Sequence, residues 1–293
     1  MIYYQSDVVQ KVIFIIFILL CFQRFETHAV TTNIDDISND FEHIRVQQHM
    51  PGLSALALGN DKILGQGANG YRRQDYLSPL LISDPVNIGS YSKWMTVTLA
   101  GRLVDRKQLS WSTQIHECFP NYNTFNSAFR NVTVEQLLAH CAGIQKTTTF
   151  FNHYDLVFIY QQALMMEYIT GQEWESLIHE HIFIPLQITS ARIGPVYDEN
   201  LLPKAPIGHE LPVNSTKPIL RSMLTPNILR VEYALSAPSG FVACTLHDWT
   251  KFLYAHIIGK TTGYLSKDTA AKLKRLYISV DGDGPGVVVY NRA

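Results

Sequence analysis

The sequence predicts a mixed α/β (α+β) fold, and three observations predict it. Two short apolar runs near residues 53–64 are split by Gly59-Asn60-Asp61, which is a hairpin signal. A long middle block carries apolar residues at helical spacing. The last residues, Gly286 to Tyr290, have the character of one short strand. Apolar residues make up 46% of the 293-residue chain and charged residues 17%, so burial can offset the entropy of ordering and a disordered chain is excluded. A net charge of −1 supplies little attraction for phosphate, which argues against a nucleic-acid partner.

Each element has its own signal. Ile37, Phe41, Ile44 and Val46 recur at helical spacing, so a helix is expected from Asp35 to Gln48, broken by Pro51-Gly52. Leu53–Leu58 and Lys62–Leu64 form the hairpin. From Ser92 onward Trp94, Val97, Leu99, Leu103 and Val104 turn the pattern helical. Thr133 to His140 reads as a short helix with Thr133 as cap and Gln136 at the capping-box position. Helices are expected at about 154–169, stopped by Gly171, and at 173–183, ended by Pro185. Residues 194–236 are Pro-rich and irregular; 246–257 and 267–276 are helical again. Two predicted strands and one late one are few for a sheet that must be covered by this many helices. There is no internal repeat and no evident interdomain linker, so residues 30–293 are taken as one domain.

The N-terminus carries an address. Val12 to Phe22 is an unbroken apolar run preceded by Lys11, too short for a bilayer core that needs about 20 residues. Thr27-His28-Ala29 places small residues at a cleavage site, so residues 1–29 are expected to be a signal peptide and the protein secreted; the alternative is a signal-anchored membrane protein. No other stable membrane association is expected. The sequons at Asn131 and Asn214 agree with secretion and glycosylation. Cys21 falls in the signal, leaving Cys118, Cys141 and Cys244. An odd number argues for buried free thiols, with one Cys118–Cys141 bridge as the alternative.

Ser90-Tyr91-Ser92-Lys93 is an S-x-x-K pattern. A serine at a helix start sits at the positive end of the helix dipole, which favours an oxyanion. A lysine three residues on lies one turn away on the same face and can take the hydroxyl proton or hold the oxygen. Alone the pattern is weak, expected by chance roughly once in a chain of this composition, and a helix cap followed by a solvated lysine is the commoner cause of it.

Its context is specific. Ile88-Gly89-Ser90-Tyr91-Ser92-Lys93, followed by Leu99-Ala100-Gly101-Arg102-Leu103-Val104 and Gln108-Leu109-Ser110, resembles the serine β-lactamase-like family, whose form is I-G-S-x-[ST]-K, a helix, then L-V-x-x-G-x-L-S. That family includes class C β-lactamases, D-alanyl-D-alanine carboxypeptidases and related esterases. Val132 to Ile144 is similar to its I-T-x-x-x-L-L-x-H-T-S-G-L. Glu167 to Gly171 is similar to E-x-x-T-G, Ile182 to Leu186 to I-F-x-P-L-G-M, and Ser239 to Trp249 to G-G-L-x-S-T-x-x-D-L. The matches are collinear over about residues 40–275. The resemblance implies an antiparallel sheet flanked by helices, with a helical subdomain. It implies a serine hydrolase with Ser90 as the acylated nucleophile, Lys93 as its activator and Tyr154 as a general base, the alternative for Tyr154 being an ordinary aromatic at a helix start. Small esters or amides, peptides included, are the implied substrates, with no metal or organic cofactor.

Two departures accompany the resemblance. The second catalytic element, Y-x-N, falls at Tyr154-Asp155-Leu156, and leucine can neither bind a substrate amide nor hold the lysine head. The third element, K-T-G or H-x-G on a later strand, has no clear counterpart. Lys260-Thr261-Thr262-Gly263 has one residue too many and starts no strand. The expectation is therefore a sheet incomplete at the C-terminus and weak or absent turnover. The alternatives are a non-catalytic binding or scaffold protein on the same fold, or a truncated fragment. Elsewhere, His179 and His181 at i and i+2 point apart on a helix and make no zinc pair, and His140 occupies a position read as structural.

Overall fold

A computed structural model describes residues 34–59, 62–73, 77–120, 129–139, 142, 153–194, 206, 208–210, 219–220, 237–256 and 263–274. They divide into two compact units. The first is drawn from the segments up to 87, 195–229 and 243–250; the second from 88–194, 230–242 and from 251 onward.

In the first unit, β1 (Asp35–Asp36) is followed by α1 (Glu42–Gln47) and by a hairpin of β2 (Gly52–Leu58) and β3 (Ile63–Gly70). The hairpin is antiparallel, with an irregularity between Ala57 and Leu58, and β1 runs parallel to β3. The predicted hairpin is present and longer than its apolar run. The predicted helix at 35–48 is shorter: its first residues pair with β3, because the Ile37 N–H donates to the Gln66 carbonyl at 3.0 Å. Arg45 grips Glu42 with two hydrogen bonds of 2.7 and 2.6 Å and donates to the Met50 carbonyl at 2.8 Å, which fixes the exit from α1. β4 (Val86–Asn87) pairs antiparallel with Ala243 and Cys244 of β8 (Val242–Cys244). Leu56, Val86 and Leu246 form a buried cluster, with Leu58, Ile63 and Ile82 packed on it. Arg72 and Asp84 form a two-pronged ion pair of 2.6 and 2.7 Å, nearly buried. In the Pro-rich stretch, β6 (His209–Glu210) pairs with β7 (Ile219–Leu220).

The second unit is helical. Its centre is α2 (Ser92–Asp105), which buries Ser92, Lys93, Met95, Thr96, Thr98, Leu99, Ala100, Gly101 and Leu103. A helix buried on most of its circumference must be covered on several sides. α5 (His153–Thr170), α6 (Trp174–Ile178), a π-helical turn at His179–Phe183 and α8 (Lys267–Leu273) all pack against it. α3 (Ile115–Cys118) and α4 (Val134–Leu138) pack on α5, and α7 (Leu246–His256) precedes α8. β5 (Arg192–Ile193) ends where the Gly194 N–H donates to the Phe241 carbonyl at 2.9 Å.

Side chains close the helix ends. Thr133 accepts from the Gln136 N–H at 3.2 Å and the Gln136 side chain accepts from the Thr133 N–H at 3.0 Å, which is the expected capping box. Gln114 and Glu117 do the same for α3. The E-x-x-T-G segment is structural. Glu167 sends its carboxylate to the Trp174 N–H at 2.8 Å, capping α6, while its carbonyl accepts from Gly171 at 2.8 Å to end α5. Asp105 accepts from the Ser266 N–H, the Ser266 hydroxyl and the Thr269 hydroxyl at 2.6–2.7 Å, tying α2 to the start of α8. Cys118 and Cys244 are free thiols in the core, as the odd count predicts. Burial pushes Cys118 up to about 11 and Cys244 up to about 12, so both stay protonated and inert at neutral pH. Cys141, His140 and residues 286–290 lie outside the described residues.

Candidate active site

The segment Val86 to Lys93 changes conformation residue by residue. After β4, Ile88 is buried and its N–H donates to the Val242 carbonyl at 3.0 Å. Gly89 then turns with φ of +55°, a region that a β-branched side chain enters only with strain. Gly89–Tyr91 form a 3-10 turn that runs directly into α2. Ser90 therefore sits on a tight turn at the mouth of a helix, exposed, while Lys93 one turn on is 9% exposed.

The two side chains meet. Lys93 Nζ donates to Ser90 Oγ at 3.2 Å and to the Ser239 carbonyl at 2.9 Å. A buried ammonium is tolerated only where oxygens surround it. Here one oxygen is the candidate nucleophile and the other belongs to a helical turn at 237–240. The solvated-lysine reading of the motif is thereby excluded. The Ser90 N–H lies at the open start of its turn, where backbone donors have no intrahelical acceptor.

Three further residues support this pair, and the motif reading passes over them. Ser92 is fully buried; its hydroxyl donates to the Gly89 carbonyl at 2.8 Å and accepts from the Val242 N–H at 3.0 Å. Thr96 is also fully buried and donates to the Pro238 carbonyl at 2.7 Å. Ser239 contributes a backbone oxygen, which no side-chain pattern records. The available signal was the hydroxyl residue required between serine and lysine in I-G-S-x-[ST]-K.

The remaining site residues stand as follows. Tyr154 and Leu156 lie in the first turn of α5, the helix that packs against α2; their side chains lie outside the described residues. Asn131 is exposed in the turn before the Thr133 cap. Asn214 and Lys260–Thr262 lie outside the described residues. His181 is buried and its carbonyl accepts from Tyr264 at 3.3 Å, while His179 sits edge-on to Phe183 at 6.1 Å, so the two imidazoles serve different surroundings. Among the described residues no three metal-binding side chains cluster. No described helix is long and apolar enough to cross a membrane.

Known proteins are similar to this chain in sequence and in fold. The chain is 25% identical over 183 residues to penicillin-binding protein 4 of Amycolatopsis lactamdurans, covering 53% of this chain and 48% of that one. It thus spans about half the length of that relative. It superposes on the octameric penicillin-binding protein homologue of Pyrococcus abyssi with a TM-score of 0.67 at 17% identity, covering 85% of this chain and 62% of that one. The class C β-lactamase of Rhodobacter sphaeroides gives a TM-score of 0.61 at 17% identity, over 80% and 68% of the two chains. The "Beta-lactamase" family model matches residues 33–276. With the S-x-x-K pair assembled at the head of α2 and that match covering most of its length, the chain belongs to the beta-lactamase family.

Proposed function

We propose that the protein is a secreted serine hydrolase that cleaves small esters or amides, peptides included, through an acyl-enzyme on Ser90. The observation that carries this is the Lys93–Ser90 contact of 3.2 Å, with the amine buried and the hydroxyl exposed. The Lys93 side chain takes the Ser90 proton as Oγ attacks the acyl carbon. The new C–O bond forms, the carbonyl electrons move onto oxygen, and the Ser90 N–H donates to that oxyanion. The carbonyl re-forms, the bond from the acyl carbon to the leaving group breaks, and the leaving group departs with the proton that Lys93 took, handed over directly or relayed through the Tyr154 hydroxyl. Water then hydrolyses the ester, and its proton path reverses the first. Ser239, by holding one face of Lys93, leaves the other turned to the hydroxyl. Residues 1–29 serve as the signal, and Asn131 and Asn214 as glycan acceptors; the exposure of Asn131 in a turn supports the first of these sites.

A second reading is favoured by Leu156, which replaces the family's asparagine. On this reading the fold is kept as a binding scaffold with little or no turnover. Chromogenic esters and peptide amides separate the two. The hydrolase releases product at a rate that Ser90→Ala abolishes. Equal, background-level release from wild type and Ser90→Ala in a cooperatively folded sample establishes the scaffold.

A further inference from the structure

Ser92 lies between Ser90 and Lys93, the pair that the hydrolase reading uses, and its hydroxyl bonds to backbone groups rather than to either side chain. Its hydroxyl instead bridges two backbones. It closes onto the Gly89 carbonyl, at the turn that presents Ser90, and it accepts the Val242 N–H. Val242 in turn accepts from the Ile88 N–H, so both backbone groups of one residue are bonded to the 88–92 segment. The same stretch 238–242 supplies the Ser239 oxygen that holds Lys93 and the Pro238 oxygen that holds Thr96. Three side chains of one helix start, Ser92, Lys93 and Thr96, thus grip a single passing segment.

Only Lys93 of the three also reaches Ser90. Its amine is set by the Ser239 oxygen on one side, and the position of that oxygen is set by where the 238–242 segment sits. We infer that Ser92 is a positioning residue: its bond to Val242 fixes the Ser239 carbonyl relative to the turn carrying Ser90, and so fixes the Lys93 amine beside the hydroxyl. Ser92 takes no part in proton transfer. Removing its hydroxyl leaves the buried Val242 N–H without its acceptor, and the segment relaxes to find another. A displacement of about 1 Å in a reacting pair lowers rates by up to about 100-fold.

The inference rests on the hydrolase reading for its effect on rate but not for its geometry, and two measurements keep these apart. The first is the rate of fluorophosphonate labelling at Ser90 in wild type, Ser92→Ala and Ser92→Thr. The second is the NMR signal of the Lys93 ammonium at a pH where it is charged, which reports its hydrogen bonds whether or not Ser90 reacts. The expected result is a labelling rate lowered about 10- to 100-fold in Ser92→Ala. The Lys93 signal moves toward that of a solvated lysine in the same variant, and Ser92→Thr restores both. An unmoved Lys93 signal in folded Ser92→Ala overturns the inference, as does, where wild type labels at Ser90, a labelling rate in Ser92→Ala equal to it. A wild type that never labels, with a Lys93 signal that still moves in Ser92→Ala, overturns the hydrolase reading and upholds the positioning role.

Discussion

Lys93 Nζ lies 3.2 Å from Ser90 Oγ and 2.9 Å from the Ser239 carbonyl, so a single buried amine joins the candidate nucleophile to the segment that passes over the head of α2. Lys93→Met keeps most of the buried stem and removes the amine. Ser90 reactivity toward an acylating probe is expected to fall by at least about 100-fold, the lower end of what a positioned base contributes. Circular dichroism should remain that of wild type. Retention of reactivity in Lys93→Met would show that the lysine is a structural anchor for Ser239 alone.

Arg72 and Asp84 are paired through both guanidinium prongs, and Asp84 also accepts the Leu81 N–H at 2.8 Å. Both side chains are largely out of water. Arg72→Met strands the carboxylate, and a loss of about 3 kcal/mol is expected in denaturant unfolding. The double variant Arg72→Met/Asp84→Leu should lose less than the sum of its two singles, because the two partners are coupled. Additive losses would mean that the pair is held apart in solution.

Gln187 adopts φ of +54° at the end of the π-helical turn region, where the resembled I-F-x-P-L-G-M pattern has glycine. A side chain with a Cβ is strained there, whereas glycine is not. Its carbonyl accepts from Lys251 at 2.6 Å, a backbone contact that substitution preserves. Gln187→Gly is expected to stabilise the protein by about 1 kcal/mol, read as a rise in denaturation midpoint. A fall in the midpoint would assign the Gln187 side chain a contact that offsets the strain.

His181 is buried, and its Nδ1 has no partner among the described residues. Burial above all, then Arg106, hold the imidazole below its ordinary value; Glu180 opposes them and Arg102 adds to them. The unfolded chain therefore takes up this proton first as pH falls. Stability from neutral His181 is complete above about pH 6.5 and is lost as pH drops through that value toward the folded one. His181→Gln is expected to shrink the drop in Tm between about pH 7.5 and about pH 5. An identical drop in both proteins would show that the carboxylates alone set the acid response.

Much of this fold could be read from residue spacing, and the exceptions have local causes. The Thr133–Gln136 box, the start of α2 at Ser92 and the arrest of α5 at Gly171 follow from caps and breakers that act within one turn. β3 was legible only at its apolar beginning, because Gly65, Gly67 and Gly70 carry no strand propensity. Gly67 is needed for another reason: a Cβ there would meet the Ser38 backbone nitrogen at 2.5 Å, so the glycine lets the chain after β1 lie against the strand. β4 and β8 are two and three residues long and owe their pairing to partners over 150 positions away, which no local window records. In the site, Ser90 and Lys93 were legible because their spacing is one helical turn. The Ser239 and Val242 backbone groups were not, since a carbonyl or an N–H has no letter of its own.

The most direct measurement is peptide-level mass spectrometry after treatment with a fluorophosphonate. One adduct is expected, carried by the peptide containing Ser90, present in wild type and lost in Ser90→Ala. A native, cooperatively melting protein that carries no adduct at Ser90, or carries it equally on another serine in Ser90→Ala, would contradict the hydrolase reading.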